Sequence, residues 1–291
     1  MNPRSQYSIS NSLLTCTISE LGAEIVSLKS QANGDEYIWQ GDPAIWAGSA
    51  PILFPIVGRL KNGKYSVDGQ EYALPTHGFI NNQYFTLVEK TRSSITLRVK
   101  ANQATLLLYP FRFQFDVTFS LEQKSLSVTY EISNSDDTEL YFSIGSHPAF
   151  ALPMTEFRHE KCKLRFSEQE NQYCQLIKNE LLSEQTYSVE LTAQTLTLTA
   201  DLFARDALIF RDICSSSITL LIDDVPVLAL EMGNNRHLGL WAKPNSPYIC
   251  LEPWTATDET ETTPTELKLK PDMLCLSSGA TYSNYYRIDI F

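Results

Sequence analysis

Phe111-Arg112-Phe113-Gln114-Phe115-Asp116-Val117-Thr118-Phe119-Ser120-Leu121 alternates large apolar residues with mostly polar ones along its whole length. Successive side chains of a strand point to opposite faces, so this period of two gathers the apolar residues on one side and predicts a long half-buried strand. The next run, Leu126, Val128, Tyr130 and Ile132, keeps the same period, and Glu122 to Ser125 between the two reads as a hairpin turn. Antiparallel pairing follows. Nearer the N-terminus, Lys64 to Val67 and Gln70 to Leu74 flank Asp68-Gly69, a dipeptide suited to the positive backbone angles of a two-residue hairpin turn. Further strands are predicted at Ser94 to Lys100, Leu140 to Ile144, Thr195 to Thr199, Ala207 to Phe210, Ile218 to Ile222, Leu228 to Met232 and Tyr282 to Ile290. Helices are scarce: Thr265 to Leu274 holds some helix formers, but Pro264 and Pro271 limit it to about two turns. Many short strands joined by polar turns predict an all-β fold of stacked antiparallel sheets, a sandwich or a closely related closed form.

The bulk composition is compatible with one large domain spanning residues 1–291, since there is no internal repeat, low-complexity tract or long linker. Hydrophobic residues at 43% and charged residues at 20% are enough for a sizeable core. The formal net charge of -11, from 34 acidic against 23 basic residues, opposes binding to nucleic acid or an anionic membrane and suits a neutral small molecule. The six cysteines at 16, 162, 174, 214, 250 and 275 form no C-x-x-C pair and are expected as buried free thiols. Met1 to Ser12 is polar and unlike a signal peptide, and the apolar stretches Ala50 to Val57 and Val225 to Leu230 are too short to span a bilayer. A cytoplasmic protein is expected. Nothing in the sequence indicates its oligomeric state.

Two segments carry an acid/base pair in outline: Gly145-Ser146-His147-Pro148-Ala149-Phe150 and Leu251-Glu252-Pro253-Trp254. A residue before proline is held in extended geometry, so His147 and Glu252 each have a restricted backbone direction. Desolvation behind Ile249, Cys250 and Leu251 would raise the proton affinity of Glu252 toward the range useful for a general base. Each also has an ordinary alternative, Glu252 as a strand end at the surface and His147 as a hydrogen-bonded core histidine. His77, in Leu74-Pro75-Thr76-His77-Gly78-Phe79, fits a turn beside a ligand and an ordinary loop equally well. Arg59 follows the apolar run Phe54-Pro55-Ile56-Val57-Gly58 and is either a donor to hydroxyls or a surface arginine. Asp206 precedes the apolar strand at Ala207 as a hydroxyl acceptor or simply as its first polar neighbour. His159 falls in a charged run read as a solvated face, and His237 follows Asn234-Asn235-Arg236 in a loop. Asp258 to Thr263 reads as an exposed acidic loop. No two histidines are spaced as a metal pair on one element, so a metal would have to draw its ligands from distant segments. Glycine-rich phosphate loops and G-x-S-x-G elbows are absent.

Taken in chain order, Pro51 to Leu60, Lys61-Asn62-Gly63-Lys64-Tyr65, Pro75-Thr76-His77-Gly78-Phe79, Gly145 to Phe150 and Leu251 to Trp254 resemble the aldose 1-epimerase (galactose mutarotase-like) family, most nearly its LacX-type branch. The resemblance implies a β-supersandwich whose concave sheet face holds a sugar, and an enzyme that needs neither cofactor nor metal. It implies Glu252 as the general base on the anomeric hydroxyl and His147 as the general acid on the ring oxygen. It further implies His77 as a second, sugar-orienting histidine, with Arg59 and Asp206 as hydroxyl-binding groups. Trp46, Phe79, Phe150 and Trp254 are either pyranose-stacking or core aromatics. The neighbours of His147 differ from those of the galactose-specific branch, so galactose specificity does not carry over. The flanks of His77, Thr76 and Ile80-Asn81, lack the extra arginines of branches acting on sugar phosphates. The competing readings are a non-catalytic sugar-binding or sensing protein and a hexose-6-phosphate 1-epimerase.

Overall fold

Phe113–Glu122 is the long strand that the alternation predicts, and it pairs antiparallel with Ser125–Asn134. Phe119 lies opposite Val128, Val117 opposite Tyr130 and Phe115 opposite Ile132, all of them buried. Phe111 is buried as well but precedes the strand. The turn between the pair is the two-residue Gln123-Lys124, with Gln123 at a φ of 50°. The computed structural model describes residues 5–152, 161–199 and 201–291. His159 lies outside them.

This hairpin belongs to a ten-stranded antiparallel sheet. Its spatial order is Leu191–Thr192, Thr195–Thr197, Cys162–Phe166, Ser217–Ile222, Val225–Glu231, Thr281–Ile290, Ser125–Asn134, Phe113–Glu122, Ser94–Lys100 and Thr86–Lys90. A second, six-stranded sheet runs Leu208–Phe210, His237–Trp241, Tyr248–Trp254, Gly145–Ser146 and Ile52–Leu53, with Ala149–Ala151 paired beside Tyr248–Trp254. The two sheets share a core in which Phe54, just past Ile52–Leu53, packs on Phe113 and Phe115 with ring centroids 5.1 and 5.2 Å away. Tyr130 of the larger sheet also hydrogen-bonds Ser146 of the smaller. Each such aromatic contributes about 1.5–3 kcal/mol by leaving water, so this seam helps to hold the layers together.

The Asp68-Gly69 turn joins Lys64–Val67 to Gln70–Ala73 as expected, with φ of 47° and 81°. Several expectations are corrected. Thr265 to Leu274 is no two-turn helix: it holds only a 3-10 turn at Leu267–Leu269, because Pro271 removes the next backbone donor. The α-helix among the described residues is instead Gln103–Leu108, capped by Asn102 in a capping box with Thr105. His237 is fully buried at the start of a strand, where its Nδ1 accepts the Asp212 N–H at 3.0 Å. Asp258 and Glu259 are buried, leaving the exposed part of that loop to Glu261 and Thr262. Glu259 is drawn inward by the buried Lys270 and by the Lys61 N–H. Of the cysteines, Cys16, Cys162, Cys174 and Cys250 are buried free thiols, whereas Cys214 and Cys275 are exposed. No helix among the described residues is long and apolar enough to cross a membrane.

Candidate active site

The six-stranded sheet holds Glu252 within a strand and His147 between two, while Arg59, His77 and Asp206 stand in turns and loops outside its strands. Tyr248–Trp254 is buried along its whole length, and the two-residue period places Cys250, Glu252 and Trp254 in succession on one face. Pro148 breaks the neighbouring strand into Gly145–Ser146 and Ala149–Ala151, and His147 sits in the break with its N–H bonded to the Pro51 carbonyl at 2.9 Å. The extended geometry required before proline is thus used at both positions. Glu252 Oε2 and His147 Nε2 approach to 3.1 Å, although the pair is not aligned as a hydrogen bond. Glu252 is 1% exposed, so it is neither a strand end nor a surface carboxylate.

The residues after Ile52–Leu53 form the adjoining wall. Gly58, at φ +78°, packs so closely on Asp258 that a Cβ would lie 2.6 Å from the Asp258 nitrogen. Gly58 and His77 exchange two hydrogen bonds: the His77 N–H donates to the Gly58 carbonyl at 2.9 Å, and the Gly58 N–H donates to His77 Nδ1 at 3.0 Å. With Nδ1 accepting, the neutral ring carries its proton on Nε2, so His77 enters the cleft as a fixed donor. Gly58→Ala is therefore expected to cost roughly 1–3 kcal/mol of stability, through positive-φ strain and the clash, and to loosen His77. A chemical-denaturation midpoint unchanged from wild type would contradict this packing.

Arg59 is held between two carboxylates, with Nη2 3.1 Å from Asp206 Oδ2 and Nη1 3.5 Å from Asp258 Oδ1, which also accepts the Arg59 N–H at 2.9 Å. Asp206 is fixed at a φ of 81°, a left-handed conformation that costs a non-glycine residue energy. Trp46 and Trp241 flank His147 at 5.1 and 5.7 Å between ring centroids, and the His77 ring stands 5.7 Å from that of His147, nearly perpendicular to it.

All five residues singled out in the sequence, Arg59, His77, His147, Asp206 and Glu252, line one cleft of about 520 Å³. Trp46 and Trp254 line it too, whereas Phe79 and Phe150 belong to the core. Sequence reasoning missed Asp258 and Trp241. Arg59 and Asp258 are 199 positions apart, and no local pattern announces a carboxylate that binds the backbone of so distant a residue.

Burial sets the electrostatics. It raises the Glu252 proton affinity well above the usual carboxylate range, reinforced by the nearby Asp258 and Asp206 and opposed by Arg59. Burial also pushes His147 down to about 4. His77 falls to about 3, from burial and then from His147 and Arg59. Asp258 is raised to about 6, mainly by burial, with Arg59 opposing. The cleft thus holds two neutral imidazoles and a carboxyl group that binds its proton tightly. It can accept a proton and donate one within a few ångströms.

The chain resembles known proteins over nearly its whole length. A family model described as aldose 1-epimerase matches residues 5–280. The plasmid-encoded Protein LacX of Lactococcus lactis subsp. lactis is 34% identical over 297 residues, covering 97% of this chain and 98% of that protein. A galactose mutarotase related enzyme from Lactobacillus acidophilus superposes with a TM-score of 0.92 at 31% identity, over 99% of this chain and 97% of the other. A galactose mutarotase-like protein from Lactobacillus casei gives a TM-score of 0.91 at 26% identity, over 99% and 100% of the two chains. With its all-β architecture of large antiparallel sheets, the chain belongs to the aldose 1-epimerase family.

Proposed function

We propose that this protein is an aldose 1-epimerase that interconverts the α and β anomers of an unphosphorylated aldohexose by opening and reclosing the ring. The observation that carries this reading is the 3.1 Å approach of Glu252 to His147 in the floor of the cleft. A cyclic hemiacetal bears its hydroxyl and its ring oxygen on the same carbon, so a base and an acid that serve both must be near neighbours. Glu252 takes the proton of the anomeric hydroxyl while His147 gives one to the ring oxygen, and the bond between that oxygen and the first carbon breaks. Rotation about the first carbon-carbon bond turns the other carbonyl face to the ring hydroxyl, and closure returns both protons. Sugar and side chains balance every atom.

The pair needs one shared proton. The ionised form carries it on His147 and the neutral form on Glu252, and ring opening converts the first into the second. Coulombic attraction favours the ionised form, while burial, which raises Glu252 and lowers His147, favours the neutral one. The two effects oppose each other, and a bound sugar that offers its anomeric hydroxyl and ring oxygen to the pair draws it toward the ionised form. His77 donates from Nε2 to a sugar oxygen, and Arg59 and Asp206 bind hydroxyls.

The charge of the lining supports a neutral substrate. Arg59 is the one cationic side chain among the described lining residues, already shared by Asp206 and Asp258, and Glu24 adds a further carboxylate. A phosphate dianion would meet more negative than positive charge here. Polarimetry or saturation-transfer NMR on freshly dissolved α-glucose and α-galactose tests the reading, with accelerated anomer exchange expected. Sugar binding by calorimetry with no exchange across a broad panel would select a binding protein. A clear preference for hexose 6-phosphate would select the phosphate-specific reaction.

A pH prediction arises from Asp258. Its proton affinity is raised to about 6, so the carboxylate is ionised above that pH and progressively neutralised below it. Neutralisation weakens the grip on Arg59, so KM is expected to rise as pH falls through 6 while kcat holds until the pair gains a second proton near 4. In Asp258→Asn the KM step near pH 6 disappears, with KM at pH 7 to 8 higher than wild type by roughly tenfold for one lost charge-assisted bond and converging with it below pH 6. A wild-type KM that is flat from pH 7 to 5 would contradict this role for Asp258.

A further inference from the structure

We infer that His147 and Glu252 in the floor of the cleft, with the fully buried Cys250 beneath it, also form a binding site for a thiophilic divalent cation, Zn²⁺ in the first place. Cys250 and Glu252 are two apart on one strand and so share a face, and His147 lies beside them where the neighbouring strand is interrupted, next to Ala149, which pairs with Cys250. One imidazole nitrogen, the thiol sulfur and one carboxylate oxygen all lie within 4.8 Å of one another. Zinc takes sulfur at about 2.3 Å and nitrogen or oxygen at about 2.0–2.2 Å, so small side-chain shifts bring all three donors onto one ion.

Two further features point to a cation. Glu252 Oε2, on a side chain that is 2% exposed and beside His147 Nε2, is buried without an aligned hydrogen-bond partner among the described residues. Unpartnered polar atoms of this kind are stabilised by a bound ion. The donor set itself is selective, because a thiol beside an imidazole suits zinc or cobalt, whereas magnesium and calcium take oxygen ligands. Three protein ligands leave the fourth tetrahedral position for water or a sugar hydroxyl. On binding, the cation displaces both the thiol proton and the proton held by the Glu252–His147 pair, and the two pass to solvent as the metal–ligand bonds form.

Cys250 takes no part in the proton transfers proposed above, so its presence bears on the cation alone. If those transfers are as proposed, the ion occupies both groups that carry them. Zn²⁺ then inhibits anomer exchange, a consequence that rests on the epimerase reading, whereas the site itself does not.

The test is titration of the metal-free protein with Co²⁺, followed by absorption. One equivalent is expected to give a near-ultraviolet thiolate-to-cobalt charge-transfer band that Zn²⁺ removes. Cys250→Ala is expected to lose the band and to weaken Zn²⁺ binding by roughly 10- to 100-fold. Replacing the exposed Cys214 and Cys275 with alanine leaves the band intact. Absence of the band in the wild-type protein, or its survival in Cys250→Ala, overturns the site. If Cys250→Ala does not fold, Glu252→Gln replaces it, and an unchanged Zn²⁺ affinity in that variant is equally decisive against the site. A protein that shows the band but exchanges no anomers retains the metal site and loses the epimerase reading.

Discussion

Glu252→Gln is expected to slow anomer exchange by about 10²- to 10⁴-fold, the usual contribution of a positioned general base, while leaving the fold intact. The amide fills the same space between His147 and the strand backbone but cannot take a proton from the anomeric hydroxyl. Stability should move the other way. The folded state holds the Glu252 proton more tightly than the unfolded chain does. Ionising this carboxylate therefore costs stability as pH rises above the ordinary carboxylate range, and the cost is relieved as pH falls. Glutamine removes that cost, so the variant's melting temperature at pH 8 is expected to equal or exceed that of the wild-type protein. Loss of activity with retained or raised stability would identify a group placed for chemistry at the expense of stability. Near-wild-type exchange in this variant would show that the wrong carboxylate has been assigned.

His147→Asn is expected to produce a loss of similar size, because protonation of the ring oxygen then falls to water. Asparagine keeps a polar side chain beneath Trp46 and Trp241, so the packing around the break at Pro148 is disturbed less than by alanine. The double variant is informative. Glu252 and His147 pass one proton between them as a unit, so removing both should cost little more than removing either. Single-variant losses that multiplied in the double variant would mean that the two side chains act independently. Single-turnover exchange rates measured at saturating sugar separate this result from a change in binding.

The sheets were legible because their signal is local. Phe113, Phe115, Val117 and Phe119 announce a buried face within one strand, and Asp68-Gly69 announces a turn within one dipeptide. Local reading failed where the deciding partner was remote. His237 follows a polar tripeptide that reads as a loop, yet pairing with Trp254 makes it a strand residue. Asp258 and Glu259 read as exposed because they are acidic, but Arg59 and Lys270 draw them inside. The helix Gln103–Leu108 was hidden for the opposite reason. It is short, and the capping box that starts it lies in an otherwise strand-rich stretch.

By itself, the amino-acid order determined the period of the strands, the turns between them and the extended backbone at His147 and Glu252, because each depends on neighbours within a few residues. Only the tertiary structure decided that a carboxylate near the end of the chain faces an imidazole from its middle at 3.1 Å, and that Cys250 lies beside both. Those relations are set by which strands pair in the six-stranded sheet, and the pairing is chosen by burial of the whole core. Burial also decided the proton affinities. A glutamate carries the same formal charge anywhere in the chain, and it becomes a tight proton holder only where folding has removed the surrounding water.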